Sequence, residues 1–271
     1  MPKLQKVLIP LALVLLIQFL IFNFQFSIAQ TQSGLDKAQN DYTFQFTKYR
    51  EAQNKYITAR ASYLTFKTAT AKNDAYLATG DYLVQIDSLY LAYLFLVNEN
   101  GNSLSWQNTD NPKEKLNQII EGELAFFDGN QKKVKDAKTL EQLTDLASEL
   151  RNHRDKEFSL KINKILATLE LTEAESAFGD FNQLAEILDK TVSSKIQAGE
   201  TKSILSNWTT EIADIKNKTQ NYQTKAKEMF GKTKEQTATD GEIKDISRFA
   251  KLAKNELLRS KSLFKEVIGI L

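Results

Sequence analysis

The chain has no cysteine, 3 prolines and 10 glycines among 271 residues, and it is close to electrically neutral. Without cysteine there is neither a disulfide scaffold nor a thiolate metal centre, so packing alone must hold the fold. Its 36 Lys and Arg oppose 34 Asp and Glu, and the surplus resides in Lys3 and Lys6, because residues 1 to 29 contain those two bases and no acid. The remainder therefore balances, and lacks the basic surplus that displaces counterions from a nucleic acid. After Pro10 the next proline is Pro112. Long unbroken stretches of Ala, Leu, Lys, Glu and Gln then favour helix and argue against strand.

What the sequence does contain begins with an address. Lys3 and Lys6 precede an almost unbroken apolar run from Val7 to Phe22, and Ser27-Ile28-Ala29 offers small residues at the −3 and −1 positions of a signal peptidase site. We expect residues 1–29 to be a signal peptide cleaved after Ala29. The alternative is a retained anchor over residues 7–29, long enough to span a bilayer though diluted by Pro10, Gln18, Asn23 and Gln25. Either reading makes the protein secreted or extracytoplasmic, with membrane contact only through this segment if it is uncleaved.

From Leu35, mostly apolar residues recur every seven positions as Leu35, Tyr42, Tyr49, Tyr56, Tyr63, Thr70, Leu77, Val84 and Leu91. A second line, Ala38, Ala52, Ala59, Phe66 and Leu94, is interrupted at Gln45, Asn73, Gly80 and Asp87. This heptad phase predicts one very long N-terminal helix in residues 30–97, spanning Leu35 to Val97 and about 95 Å, with a bend near Gly80. Residues 98–111 are polar and read as a loop holding one aromatic, Trp106. Residues 112–271 read as a helical bundle. Asn111 and Pro112 suit a helix start, Thr139 with Gln142 has capping-box spacing, and Thr172 with Glu175 repeats it at a phase change, predicting a break. Past a turn at Gly199, Trp208, Ile212, Ile215, Thr219, Tyr222 and Ala226 form one seam. Ile243, Ile246, Ala250, Ala253, Leu257, Ser260, Phe264 and Val267 form the next, in a helix opened by Thr239 and Glu242. An acidic stretch, Glu170 to Lys190, faces a basic one, Glu242 to Glu266, in the expected pairing. The fold class is thus all-α: an elongated antiparallel bundle with coiled-coil packing.

Catalytic patterns are missing. His153 is the only histidine and has no companion ligands in sequence, so it reads as a helix-rim residue. Glu121 and Glu123, like Glu173 and Glu175, are two apart and project from different helix faces. Gly231-Lys232-Thr233 lacks the earlier glycine of a phosphate loop. No Gly-x-Ser-x-Gly turn is present. We expect no enzyme activity, no cofactor and no metal. Asn207-Trp208-Thr209 and Asn217-Lys218-Thr219 match a glycosylation sequon, but Trp208 and Thr219 fall on the seam. The apolar run Leu89 to Val97 covers all sides of its helix, which calls for burial. Candidate interaction residues are Tyr42, Tyr49, Tyr56, Tyr63 and Trp106, amphipathic rings suited to a partner surface and equally to a core.

The export signal, Tyr49 and Tyr56 ahead of Ala59-Arg60, then Tyr63-Leu64, Ala78-Thr79 and Tyr82-Leu83, resemble uncharacterised exported helical proteins of candidate-phyla bacteria. The resemblance covers the first hundred residues and implies a bacterial, extracytoplasmic protein without supplying an activity. The expected role is a non-enzymatic spacer, adaptor or interaction module at the cell surface. Its partner is a protein or cell-envelope component, and self-association is left open. The alternative is a secreted, membrane-active protein of the helical toxin type.

Overall fold

The computed structural model describes the backbone of residues 5–106, 112–197, 203–233 and 239–269, and the side chains of 34–106, 113–197, 207–231 and 239–269. The cleavage site after Ala29, the anchor alternative at 7–29 and the turn at Gly199 lie outside the described side chains. All regular structure among the described residues is helical: α1 (Gln5–Phe66), α2 (Ala69–Asn102), α3 (Pro112–Asp136), α4 (Leu140–His153), α5 (Ser159–Gln197), α6 (Ser203–Thr233) and α7 (Asp240–Ile268). Among them no helix is long and apolar enough to cross a membrane. The chain divides into two compact units, one from Met1–Ser103 with Ile120–Glu149, the other from Leu104–Ile119 with Leu150–Leu271.

In the first unit the heptad segment is two helices, which corrects the expected single helix from Leu35 to Val97. Lys67 adopts φ 51°, a left-handed conformation that a residue with a Cβ occupies at some cost. Thr68 is then extended and its hydroxyl accepts from Ala71 N–H at 3.1 Å, capping α2. The chain reverses there, so α1 and α2 pack antiparallel: Tyr56 meets Tyr82, Tyr42 meets Tyr93, and Gly34 lies beside the Glu99 carboxylate. The inward residues of α2 are Ala71, Ala75, Thr79 and Leu83. Leu77, on the extrapolated heptad line, is 58% exposed. α2 is continuous through Gly80, and a Cβ there would stand 3.6 Å from Leu143 of α4, an ordinary van der Waals distance. The expected loop at 98–111 also starts later, because α2 continues through a buried Gly101 to Asn102 with Ser103 as its C-cap; residues 107–111 are outside the described set.

The Thr139 capping box forms as read: Thr139 N–H donates to Gln142 Oε1 and Gln142 N–H to Thr139 Oγ1, both at 3.2 Å. The second one does not. Thr172 is buried inside an uninterrupted α5, correcting the predicted break there. The irregularity lies earlier, in a π-helical turn at Arg154–Phe158, where Ser159 N–H bonds to Arg154 C=O. Such a turn absorbs one extra residue, and buried residues spaced by seven, Leu143 to Leu150 and Phe158 to Ile165, are separated across it by eight. The phase change near Thr172 reflects two buried faces on one helix. Ile162, Ile165 and Leu169 lie on one, and Ala167, Leu171 and Ala174 on another.

In the second unit α5, α6 and α7 run up, down and up around a common core. One end joins Phe181, Leu188 and Val192 to Trp208, Ile215, Leu257 and Phe264. The other joins Ala167, Leu171 and Ala174 to Ala226, Ile243, Ile246 and Ala250. Alanines dominate the second end. Trp208 and Thr219 are fully buried, so neither sequon offers an open strand of chain. Thr239 and Glu242 form the capping box of α7. The expected charge pairing is present as Glu170 with Lys251 at 3.1 Å and Glu173 with Lys254 at 2.7 Å. Glu175 pairs instead with Lys227 of α6 at 2.8 Å.

Truncating Leu257 or Phe264 to Ala should cost about 2–5 kcal/mol through lost burial and the cavity left behind. Lys265→Ala should cost no more than about 0.5 kcal/mol, and Lys251→Ala, which breaks an exposed ion pair, no more than about 1 kcal/mol. Removing the hydroxyl in Thr68→Ala should cost about 0.5–2 kcal/mol. Denaturant melts of the four core and surface variants and the cap variant check the ranking, and equal small shifts for all would mean that the seam is not a core.

Candidate functional site

Heptad spacing places Tyr42, Tyr49, Tyr56 and Tyr63 along one side of α1, all partly buried. The reversal brings α2 tyrosines between them. Tyr42 packs against Tyr93 with ring centroids 5.9 Å apart, Tyr49 against Tyr82 at 5.6 Å, and Tyr56 stacks on Tyr82 at 5.0 Å with planes within 15°. Phe46 links Tyr42 and Tyr49 at 6.4 and 6.3 Å. The Tyr49 and Tyr82 hydroxyls share a weak hydrogen bond at 3.4 Å, and Gln53 Nε2 donates to the Tyr49 oxygen at 3.3 Å. Burial, followed by the Tyr49 hydroxyl, pushes the Tyr82 phenol up to about 12. Burial also raises Tyr93. Both rings remain neutral hydroxyls across the physiological range.

Three of the four candidate tyrosines of α1 thus join one ladder. Tyr63 does not enter it; its carbonyl accepts from Lys67 N–H at 2.9 Å and helps close the turn. Trp106 belongs to the segment assigned to the second unit. Sequence reasoning missed Tyr82 and Tyr93 as ladder members. The signal was available: eleven residues are about three helical turns, so these two share a face of α2, but the line extrapolated through Leu77, Val84 and Leu91 belongs to another face.

Around the ladder the hairpin carries large apolar side chains in water. Phe44, Phe46, Ile57, Leu77 and Phe95 are exposed, and at the turn Leu64 and Phe66 are 54% and 68% exposed. Lys48 lies over the Phe44 ring at 5.7 Å while pairing with Glu51 at 3.0 Å. A shallow groove between α1 and α2, lined by Lys55, Thr58, Ser62 and Asp74, places one charge of each sign beside this apolar set. In the run Leu89 to Val97, Ala92, Leu94 and Val97 are buried and Phe95 is exposed.

A different side of α2 holds the other chemically distinctive group. Asp87 is fully buried and accepts from Asn130 Nδ2 of α3 at 2.8 Å, while its Oδ1 has no hydrogen-bond partner among the described residues. Gln131 fastens the same interface by donating to Ser88 Oγ at 2.8 Å, and Tyr90 stacks on Phe127 at 4.8 Å. One neutral amide stabilises a buried carboxylate poorly. Burial accordingly lifts the Asp87 carboxyl to about 7, against the opposing effect of the Asn130 hydrogen bond.

Among the described residues no group of three or more His, Asp or Glu side chains converges as a metal site. His153 lies 3.7 Å from Glu157, one turn along the chain across the π-helical turn. Glu173 and Glu175 are held by lysines on two different helices, so they do not act as a carboxylate pair. Comparison with known proteins adds no relative: no family model matches the chain, and no curated protein or solved structure matches it.

The raised carboxyl of Asp87 has a defined consequence for pH. The folded chain keeps a proton that the unfolded chain releases above its ordinary value near 3.8. This group's contribution to stability is therefore complete below that value and is lost as pH climbs to about 7. Asp87→Asn removes the ionisation, so its melting temperature should exceed that of the wild type in mildly alkaline buffer and fall less between mildly acidic and alkaline conditions. Parallel pH profiles for the two proteins would contradict the burial of an ionisable group at this interface.

Proposed function

We propose that this chain is an exported, non-enzymatic helical module whose α1–α2 hairpin offers a contact surface to a protein or cell-envelope partner. The observation that carries the reading is the concentration of large exposed apolar side chains on the hairpin, from Phe44 through Leu64 and Phe66 to Leu77 and Phe95. Phe46, Ile57 and Leu64, eleven and seven residues apart, share one side of α1, and a stripe of exposed apolar residues is a usual mark of an interaction surface. The aromatic ladder beneath them stiffens the support, since stacked rings held between two helices lose little freedom on binding. The finer architectural reading, an elongated antiparallel bundle packed as a coiled coil, is supported by heptad-spaced residues in α6 and α7 and by Ala38 and Ala52 in α1, whose small side chains let helices approach closely. The apolar run and the small residues Ser27 and Ala29 in residues 1–29 support export, which would put the module outside the cytoplasm.

A second reading, a membrane-active protein, draws on the turn. Leu64, Phe66 and Lys67 form an apolar tip with a basic residue, a composition that suits shallow insertion at a lipid headgroup boundary. The Leu89 to Val97 segment offers less for this purpose, because Ala92, Leu94 and Val97 are already inside the protein.

The chain from Gln30 onward and its Leu64→Ser, Phe66→Ser, Leu77→Ser triple variant should behave differently on envelope extracts of the source cell. A partner retained by the first and lost by the second, with Lys265→Ala retaining it, is the expected outcome. Equal retention by both would remove the hairpin surface from the account. Robust hydrolase or transferase turnover would overturn the non-enzymatic reading, and leakage from anionic liposomes that the triple variant abolishes would favour the membrane reading.

A further inference from the structure

The ladder contains one pair of tyrosines whose geometry exceeds what packing requires. Tyr49 of α1 and Tyr82 of α2 have ring centroids 5.6 Å apart and hydroxyl oxygens 3.4 Å apart. In a tyrosyl radical the unpaired spin lies on the oxygen and on the ring carbons ortho and para to it, and because the para carbon bears the side chain, the carbons flanking the C–OH are the ones that couple. Adjacent hydroxyls therefore bring the reactive edges of the two rings together. Tyr56 is nearer to Tyr82 by centroid, 5.0 Å, but stacks on it face to face within 15°, which apposes ring faces rather than those edges. The two helices hold Tyr49 and Tyr82 in this arrangement although they are 33 residues apart in sequence.

We propose that Tyr49 and Tyr82 are an oxidative coupling site, joined by a haem peroxidase and hydrogen peroxide into a dityrosine that fastens α1 to α2. The peroxidase removes one electron and one proton from each phenol, giving two neutral phenoxyl radicals. A carbon–carbon bond forms between the ring carbons next to the two hydroxyls, and the hydrogens on those carbons move to the oxygens as both rings regain aromaticity. The two electrons and two protons reduce one hydrogen peroxide to two water molecules, so two phenols and one peroxide give one biphenol and two waters. Loss of a proton with each electron suits a Tyr82 phenol that burial keeps protonated. In an extracytoplasmic chain with no cysteine, such a bond performs the work of a disulfide, shortening the free loop of the unfolded chain. It stands independently of any partner for the hairpin.

The test treats the full chain, dilute enough to remain unassociated, with a haem peroxidase and hydrogen peroxide, and follows dityrosine fluorescence and peptide mass. The expected product is a monomer lighter by two hydrogens, with the peptide containing Tyr49 linked to that containing Tyr82, and with a higher melting temperature than the untreated chain. Tyr49→Phe and Tyr82→Phe should each abolish this link, and Tyr63→Phe should retain it. Circular dichroism checks that the three variants keep their helix content, and mapping on the wild type decides the matter alone. No dityrosine, dityrosine only between chains, or a link mapped to Tyr56, Tyr42 or Tyr93 would overturn the assignment.

Discussion

The reversal at Lys67 and Thr68 is the constraint on which the N-terminal unit depends. A left-handed lysine is unfavourable by itself, and three local bonds offset it. Tyr63 C=O accepts from Lys67 N–H, Thr68 C=O from Lys72 N–H, and Thr68 Oγ1 from Ala71 N–H. Once the chain has turned, the register of α1 against α2 follows, and with it every contact of the aromatic ladder. The same register assigns the remaining faces of α2. Asp87 is five residues past Tyr82, about 140° around the helix, and so serves α3 rather than α1.

This division of faces explains why an apparently interrupted seam is not a defective one. Asp87 and Gly80 break the apolar line drawn through α2, yet each has a place. Asp87 bonds to Asn130, and Gly80 faces Leu143 of α4. Partly polar interfaces specify register more sharply than uniform apolar ones, because a slip by one turn leaves a buried carboxylate without its amide. The ladder has the same property in weaker form through the Tyr49 and Tyr82 hydroxyls. The apolar residues left in water around it are then a surplus that neither helix needs for its own packing, and they carry the functional proposal.

Helix content, the seams of α6 and α7, and both capping boxes at Thr139 and Thr239 were legible in the sequence, because each depends on residues three or four apart on one helix; the pairing of Glu170 and Glu173 with α7 lysines was legible from the opposite charge of the two segments. The reversal was not legible. Its residues, Lys67 and Thr68, include neither glycine nor proline, and a turn this short left the seven-residue count apparently intact through Thr70 and Leu77. The π-helical turn at Arg154–Phe158 escaped for the opposite reason, since one added residue between Leu150 and Phe158 resembles an imperfect heptad. At Thr172 a single helix buried on two faces imitated a break. Half of the aromatic ladder, Tyr42, Tyr49 and Tyr56, was visible as a line on α1, whereas Tyr82 and Tyr93 acquired their role only through the reversal.

Because the chain lacks cysteine, spin labels can be placed at two chosen positions without competing sites. Labels at Asn40 and Phe95, both exposed, separate the two arrangements by a wide margin. Helices packed side by side lie about 8–10 Å apart, so pulsed electron resonance should give a label separation under about 20 Å. An uninterrupted helix through Lys67 would place the same residues about 83 Å apart at 1.5 Å per residue. A short distance supports the hairpin, its ladder and its surface together, and a long one would contradict all three.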